Sequence, residues 1–286
     1  MASYSLTCEL SIPHAEIAIA LLAEMGMQGC EESATAAGTR LRCYFADKDS
    51  AHVAWTAISA QFEGAGAARV ACVEDQDWNA AWRETIQPVK IAPHVWVSPQ
   101  WRTPELTDGD EWIRIEPKMA FGSGHHETTR LASQALVALG ASVRNTRVLD
   151  VGTGSGVLCF TAGLLGARWS LGLDIDPLCG DNLGENRRDN PQCGATDFFV
   201  GTLDALHHRP VFEIAVMNMI LTESSPCLTA VRQLLCGTGT LIWSGLLATD
   251  RDAAVARAAE HGFSLTDVTV ENEWVCCVFG SSDAGH

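Results

Sequence analysis

Val148-Leu149-Asp150-Val151-Gly152-Thr153-Gly154-Ser155-Gly156 decides how this chain of 286 residues reads. An apolar run gives way to glycines at alternate positions, the pattern of a buried strand that turns tightly into a helix. Strand and helix patterns alternate on both sides of it. Upstream, a helix runs from about 127 to Gly140. Downstream, the periodicity predicts a helix over 155–166, a strand over 170–174 and a helix from Asp176. Strands near 196–200 and 212–217, a helix around 226–235 and a strand over 239–244 follow. That order predicts a doubly wound α/β fold with a mostly parallel sheet. Phe263–Val270 and Trp274–Phe279 flank Glu-Asn-Glu and read as an antiparallel hairpin on the sheet edge.

The glycine spacing restricts the ligand. The dinucleotide fingerprint needs a glycine where Val157 stands, and no Gly-Lys-Ser/Thr follows to make a phosphate loop. Asp150 would repel a pyrophosphate resting on the helix N-terminus, but it attracts the ammonium of a methionine moiety, directly or through water. Asp174, 22 residues beyond Gly152, is the first acid after the next strand and is placed to accept the two ribose hydroxyls of an adenosine. Gly152, Gly154, Asp150 and Asp174 together point to S-adenosylmethionine (AdoMet). The bland alternative, a structural turn with two surface aspartates, leaves the coincidence unexplained.

Strand 212–217 delivers Asn218-Met219-Ile220-Leu221 to the same edge. The Pro-Pro-aromatic run that stacks on planar amines is missing, so a flexible aliphatic amine fits better than a flipped base. Asn218 is the candidate catalytic residue, its carbonyl oxygen accepting amine hydrogens; the plain alternative is a turn residue that ends a strand. His125-His126 has no Asp, Glu or Cys set beside it to complete a metal site, so no metal is expected, and loop packing or AdoMet contact is the reading. Thr128 and Thr129 begin a helix, where hydroxyls bond the chain or a ligand. His207-His208 reads as an exposed loop.

The N-terminal part is different. Residues 3–11 alternate as a strand, a helix runs from Pro13 through Met25, and short strands fall near 29–33 and 39–45. A helix over 49–62 and a strand over 68–73 complete a β-α-β-β-α-β order, a small ferredoxin-like α+β domain. Tyr44 and Phe45 fall on opposite faces and the domain is acidic, which argues against RNA recognition. Between 78 and 112 lie Trp78, Trp82, Trp96, Trp101 and Trp112, whose large rings are expected to pack and cement two domains rather than to bind a ligand.

Acidic residues number 35 against 19 basic, a formal charge of −16 spread along the chain, which argues against nucleic-acid and anionic-membrane binding. No apolar stretch reaches the ~18 residues of a membrane span. The start lacks a secretory pattern, and eleven scattered cysteines without a C-x-x-C pair suit a reducing cytoplasm.

Taken together, the residues resemble a known family, the PrmA-type methyltransferases of large-subunit ribosomal protein eleven, over nearly the whole chain. The resemblance rests on Trp82, Pro88 and Val95-Trp-Val-Ser-Pro-Gln-Trp101. It rests above all on Pro117-Lys-Met-Ala-Phe-Gly-Ser-Gly-His-His-Glu-Thr-Thr129, which is similar to the family's A-F-G-T-G-x-H-x-T-T loop. Asp150–Gly156, Gly172-Leu-Asp174-Ile-Asp-Pro177, Asn218 and Glu273-Trp274 follow in family order. The resemblance implies a Rossmann-like class I methyltransferase domain and methylation of lysine side chains and the α-amine of that basic ribosomal protein. It places Thr129, Gly152, Asp174 and Asn218 on AdoMet-contacting positions. It also implies that residues 1–74 recognise substrate, 75–116 form a Trp-rich linker with connecting strands, and 117–286 bind AdoMet. Ser123 and His125 stand where the family more often has threonine, and Asn218-Met219-Ile220 replaces Asn-Ile-Leu. The chain is expected to act as a monomer. Rival readings are methylation of another cytosolic protein or a small amine, a non-catalytic AdoMet-binding regulator, and an NAD-dependent oxidoreductase.

Overall fold

The computed structural model describes residues 3–35, 38–62, 68–73, 86–116, 122, 124–206 and 209–281. Trp78, Trp82, His207, His208 and most of the 117–123 loop lie outside the described residues. The chain divides into two compact units, Met1–Thr85 and Ile86–His286.

In the first unit the elements are β1 (Ser3–Leu10), α1 (Ile12–Glu24), β2 (Gly29–Thr35), β3 (Gly38–Phe45), α2 (Lys48–Gln61) and β4 (Arg69–Val73). Alternation does the work: Leu6, Cys8 and Leu10 of β1 and Leu41, Cys43 and Phe45 of β3 all point into one core. Ala15, Ala18 and Leu22 of α1 and Ala51, Ala54 and Ile58 of α2 cover it at helical spacing. Asp47 starts α2 by accepting the Ser50 N–H at 2.8 Å. The strand order β2-β3-β1-β4, with every pair antiparallel, is the expected ferredoxin-like arrangement. On the outer face Glu9 meets Arg40 at 3.8 Å and Glu31 meets Arg42 at 3.9 Å.

The second unit opens with β5 (Val89–Ala92), β6 (Val95–Ser98) and β7 (Glu111–Arg114), a small separate sheet. Its apolar residues Ile91, Val95, Val97 and Ile113 enter the core of this unit. Of the five tryptophans in the 78–112 stretch, three are described. Trp96 and Trp112 are half-buried and Trp101 is exposed. The Trp96 indole donates to Asp110 at 3.1 Å, and the Trp112 indole donates to Ser98 at 2.8 Å. Lys90 and Arg114 lie over these two rings at 5.5 and 4.2 Å. An indole N–H that must be bonded keeps one edge of each ring near polar partners.

After α3 (Glu127–Ala138) the alternation is regular: β8 (Arg147–Val151), α4 (Val157–Leu164), β9 (Trp169–Asp174), α5 (Cys179–Asp189), β10 (Thr196–Val200) and β11 (Phe212–Asn218). Then come α6 (Leu221–Ser224), α7 (Leu228–Leu234), β12 (Leu235–Leu247), α8 (Arg251–Glu260), β13 (Phe263–Glu271) and β14 (Trp274–Ser281). The seven strands run β10-β9-β8-β11-β12-β14-β13. They are parallel from β10 to β12, and the C-terminal hairpin is antiparallel, as the tail pattern predicted. One face packs on Leu131, Leu136 and Phe160, the other on Leu228, Val231, Ala254 and Ala258. Chain order reverses between β8 and β11, which opens a crevice beyond their C-terminal ends.

All eleven cysteines are free thiols; Cys72 is exposed and the others are buried or half-buried. Among the described residues no helix is long and apolar enough to cross a membrane.

Candidate functional site

The glycine turn leaves β8 at this crevice. Gly152 and Gly156 hold φ of +71° and +84°, which side chains strongly disfavour. Neither position has room for one: a Cβ on Gly152 would lie 2.6 Å from the Met219 sulfur, and on Gly156 2.7 Å from the Phe198 ring. The N–H groups of Gly152 and Thr153 both donate to the Leu173 carbonyl at 2.9 Å, tying the turn to the end of β9.

Two carboxylates flank the turn in contrasting states. Asp150 is fully buried. Its Oδ2 accepts from the Thr153 hydroxyl at 2.6 Å and the Cys159 thiol at 3.7 Å, while its Oδ1 has no partner. Burial pushes its pKa up to about 6, and the charge of Asp174 pushes the same way, against those two hydrogen bonds. Asp174 is half-buried and well supplied: Oδ2 accepts the Gly154 N–H at 2.9 Å and Oδ1 the Asp176 N–H at 3.0 Å. A carboxylate offers about four acceptor directions, so both oxygens retain capacity for a diol.

Beside Asp174 the chain exposes Ile175 and Leu178, each at 74%, and partly Phe199 and Val200 at the end of β10. The Gly201 N–H donates to the Asp174 carbonyl at 2.8 Å, which holds the two strand ends together. This apolar rim suits a flat ring. The sequence reading missed it, although Ile175 between two acids just past a strand end was the available signal.

Asn218 ends β11. Its Nδ2 donates to the Thr129 hydroxyl at 3.4 Å, and its Oδ1 is buried without a partner. The following turn is pinned from below: Trp243 Nε1 donates to Ser224 Oγ at 2.8 Å, and that hydroxyl donates to the Ile220 carbonyl at 2.7 Å. Gly245, at φ +82°, lets the Met219 backbone approach so closely that a Cβ would lie 2.6 Å from the Met219 nitrogen. On the other side Thr129 is buried in the first turn of α3, and Ser244 Oγ donates to the Thr128 carbonyl at 2.8 Å.

His126 caps α3. Its Nδ1 accepts the Thr128 N–H at 3.3 Å and the Thr128 hydroxyl at 2.9 Å, and its ring meets Trp274 edge-on with centroids 4.9 Å apart. His125 donates through Nε2 to the Gln87 carbonyl at 2.9 Å. The two adjacent imidazoles therefore make separate contacts within the protein.

Thr129, Asp150, Gly152, Gly154, Asp174 and Asn218 thus meet along one sheet edge. The residues fit AdoMet in kind: an unpaired buried carboxylate oxygen for an ammonium, an acid with spare acceptor capacity for a diol, and an apolar rim for adenine. They suit a dinucleotide poorly, since Val157 is buried and opens α4 where the fingerprint needs its last glycine.

A sequence model of the family described as "Ribosomal protein L11 methyltransferase (PrmA)" matches residues 14–282. The chain belongs to this family. The PrmA-family protein of Thermus thermophilus is 38% identical over 210 residues, covering 73% of this chain and 79% of the relative. The Deinococcus radiodurans ribosomal protein L11 methyltransferase is 34% identical over 257 residues, 88% of each chain. Among solved structures, the ribosomal protein L11 methylase of Lactobacillus delbrueckii subsp. bulgaricus is similar with a TM-score of 0.62 at 25% identity, covering 68% of this chain and 99% of that one. Of the departures from the usual PrmA pattern, His125 bonds the Gln87 carbonyl and Met219 lies against Gly152. Ser123 lies outside the described residues.

Proposed function

We propose that this chain transfers methyl groups from AdoMet to amino groups of ribosomal protein L11, at lysine side chains and the α-amine, in the cytoplasm. The carrying observation is Asn218 Oδ1, a buried acceptor with no partner, on the same edge as the Gly152 turn and Asp174. AdoMet supplies a methyl group on a sulfonium sulfur, whose positive charge passes to nitrogen as a neutral thioether leaves. Asp174 would hold the ribose hydroxyls, and the unpaired oxygen of Asp150 would serve the ammonium. The Gly152–Gly154 backbone forms the floor.

The acceptor must be a neutral amine, whereas a free lysine has a pKa of about 10.4. Asn218 Oδ1 accepts an amine hydrogen and aims the lone pair, and Thr129 fixes the amide through its hydroxyl. Removing the amine from water lowers its pKa, so no Ser-His-Asp arrangement is needed. The rate gain comes mainly from alignment.

Residues 1–74 recognise the ribosomal protein, 75–116 connect, and 117–286 carry methyl transfer. A −16 charge is compatible with a basic partner, though it serves solubility equally well. The test is incubation with isotopically labelled AdoMet and purified L11, read by mass spectrometry. Label on L11 amino groups is expected. AdoMet binding without label on L11, but with label on another component of a cytosolic extract, would replace the proposed substrate.

A further inference from the structure

The first turn of α3 is tied to one place far away in sequence. The Arg130 guanidinium reaches Glu271, 141 residues on, through Nε at 3.0 Å to Oε1 and 3.4 Å to Oε2, and through Nη2 to Oε1. Its Nη1 donates to the His125 carbonyl. Glu127 accepts from Asn272 Nδ2 at 3.1 Å, and His126 packs on Trp274. Residues 126, 127 and 130 thus contact 274, 272 and 271, the turn that joins β13 to β14. Asn272 holds φ +54° there, which sets the shape of the turn. Thr129, within the same helical turn, is buried and meets Asn218.

We propose that the hairpin turn Glu271–Trp274 positions the reacting edge, with Arg130 and Glu271 as positioning residues that set where Thr129 holds Asn218. This rests on the methyl-transfer reading above. Ordinary surface ion pairs contribute little because both side chains are free to leave. This pair differs: its side chains are only 19% and 32% exposed, the contact is two-pronged, and the third guanidinium nitrogen is held by a backbone carbonyl. The Thr129–Asn218 bond is already long at 3.4 Å, so a rotation of α3 that moves Thr129 by a few tenths of an ångström breaks it. Methyl transfer depends on in-line placement, and a misplacement of about 1 Å is enough to lose about a hundredfold in rate. Of the cofactor positions, Asp150 and Asp174 lie near the ends of β8 and β9 and Gly154 in the turn after β8, none of which this clamp touches; only Thr129 and Asn218 stand on the clamped side. The inference therefore predicts that turnover falls much further than cofactor affinity.

The experiment uses the full chain with AdoMet and L11, comparing wild type with Arg130→Gln, Glu271→Gln and the double variant. Turnover, KM for L11 and calorimetric Kd for AdoMet are measured on each. Expected is a loss of about tenfold in kcat for each single variant, no further loss in the double, and AdoMet Kd and KM within about twofold of wild type. Unchanged kcat in the variants overturns the positioning role, as does a loss of AdoMet affinity in step with kcat. Should Arg130→Gln fail to fold, Asn272→Gly tolerates the positive φ of the turn and removes the bond to Glu127; a kcat reduced about threefold at constant AdoMet Kd supports the role, and an unchanged kcat overturns it. A wild-type chain that binds AdoMet but leaves L11 unlabelled overturns the functional reading instead, so the two failures are distinct.

Discussion

The two units treat their polar groups in opposite ways. On the outer face of the first unit, Glu9, Arg40, Glu31 and Arg42 pair with one another at the surface, and the Tyr44 hydroxyl donates to Glu31 at 2.8 Å. Such contacts are nearly neutral in energy and easily exchanged. In the second unit, by contrast, Asp150 Oδ1 and Asn218 Oδ1 are buried at the crevice with no partner. Among the described residues, every buried side-chain oxygen or nitrogen lacking a partner belongs to this second unit. An unmade bond in the interior costs about 1–3 kcal/mol, and a ligand that completes it recovers that energy. Under the proposed division of labour, the first unit meets a macromolecule with an adaptable face. The other holds unmet demand for a small molecule.

The largest expected effect tests that division directly. Removing residues 1–85 should reduce L11 methylation to background and leave AdoMet Kd within about twofold, because the second unit has its own core. Equal activity on L11 would end the proposed division of labour. Next, Asn218→Ala should lower kcat by about a hundredfold while the fold survives, the scale of one lost transition-state hydrogen bond. Near-normal turnover would remove Asn218 from the mechanism. Asp174→Ala should raise the calorimetric Kd for AdoMet by about tenfold or more, the scale of a charged hydrogen bond. An unchanged Kd would refute the ribose assignment.

The smallest effect concerns Asp150 and is one of stability. Its pKa near 6 lies above the ordinary value of 3.8, so folding favours its protonated form. That favourable contribution is fully present below about pH 4 and is lost as pH rises through about 6, with an upper limit of about 3 kcal/mol. Asp150→Asn should therefore be more stable than wild type at pH 8 by about 1–2 kcal/mol, part of the gain being offset by a buried amide nitrogen. The difference should vanish near pH 4 in thermal melts. A variant less stable at both pH values would show that Asp150 is satisfied within the fold.

Much of this was legible because it depended on local pattern. Three alternating glycines after an apolar run forced a turn whatever lay around them, and period-two alternation in β1 and β3 predicted their shared face. Helix α8 was passed over: in Arg-Asp-Ala-Ala-Val-Ala-Arg-Ala-Ala-Glu only Ala254 and Ala258 are buried, too little apolar contrast to mark a face. The tryptophan count suggested packing, but no local pattern specifies Asp110 and Ser98 as the partners of the Trp96 and Trp112 indoles. Asp150, Gly152, Gly154, Asp174 and Asn218 could be assigned to one edge from strand order, whereas Thr129, on a helix, came from the family resemblance. The contact of Arg130 with Glu271 could not, because it spans most of the domain, and the state of Asp150 depends on burial that only the assembled sheet creates.

The thiols have a practical consequence. Burial raises the pKa of Cys8 and Cys179 to about 11 and of Cys193 to about 12, which leaves almost none of them in the reactive thiolate form near neutral pH. Cys72, on β4, is exposed to solvent. A maleimide dye should therefore attach first at that single position, in the unit proposed to recognise the protein substrate. Without any engineered cysteine, the chain carries its own labelling site, whose signal should change on adding L11 if the proposed division of labour holds.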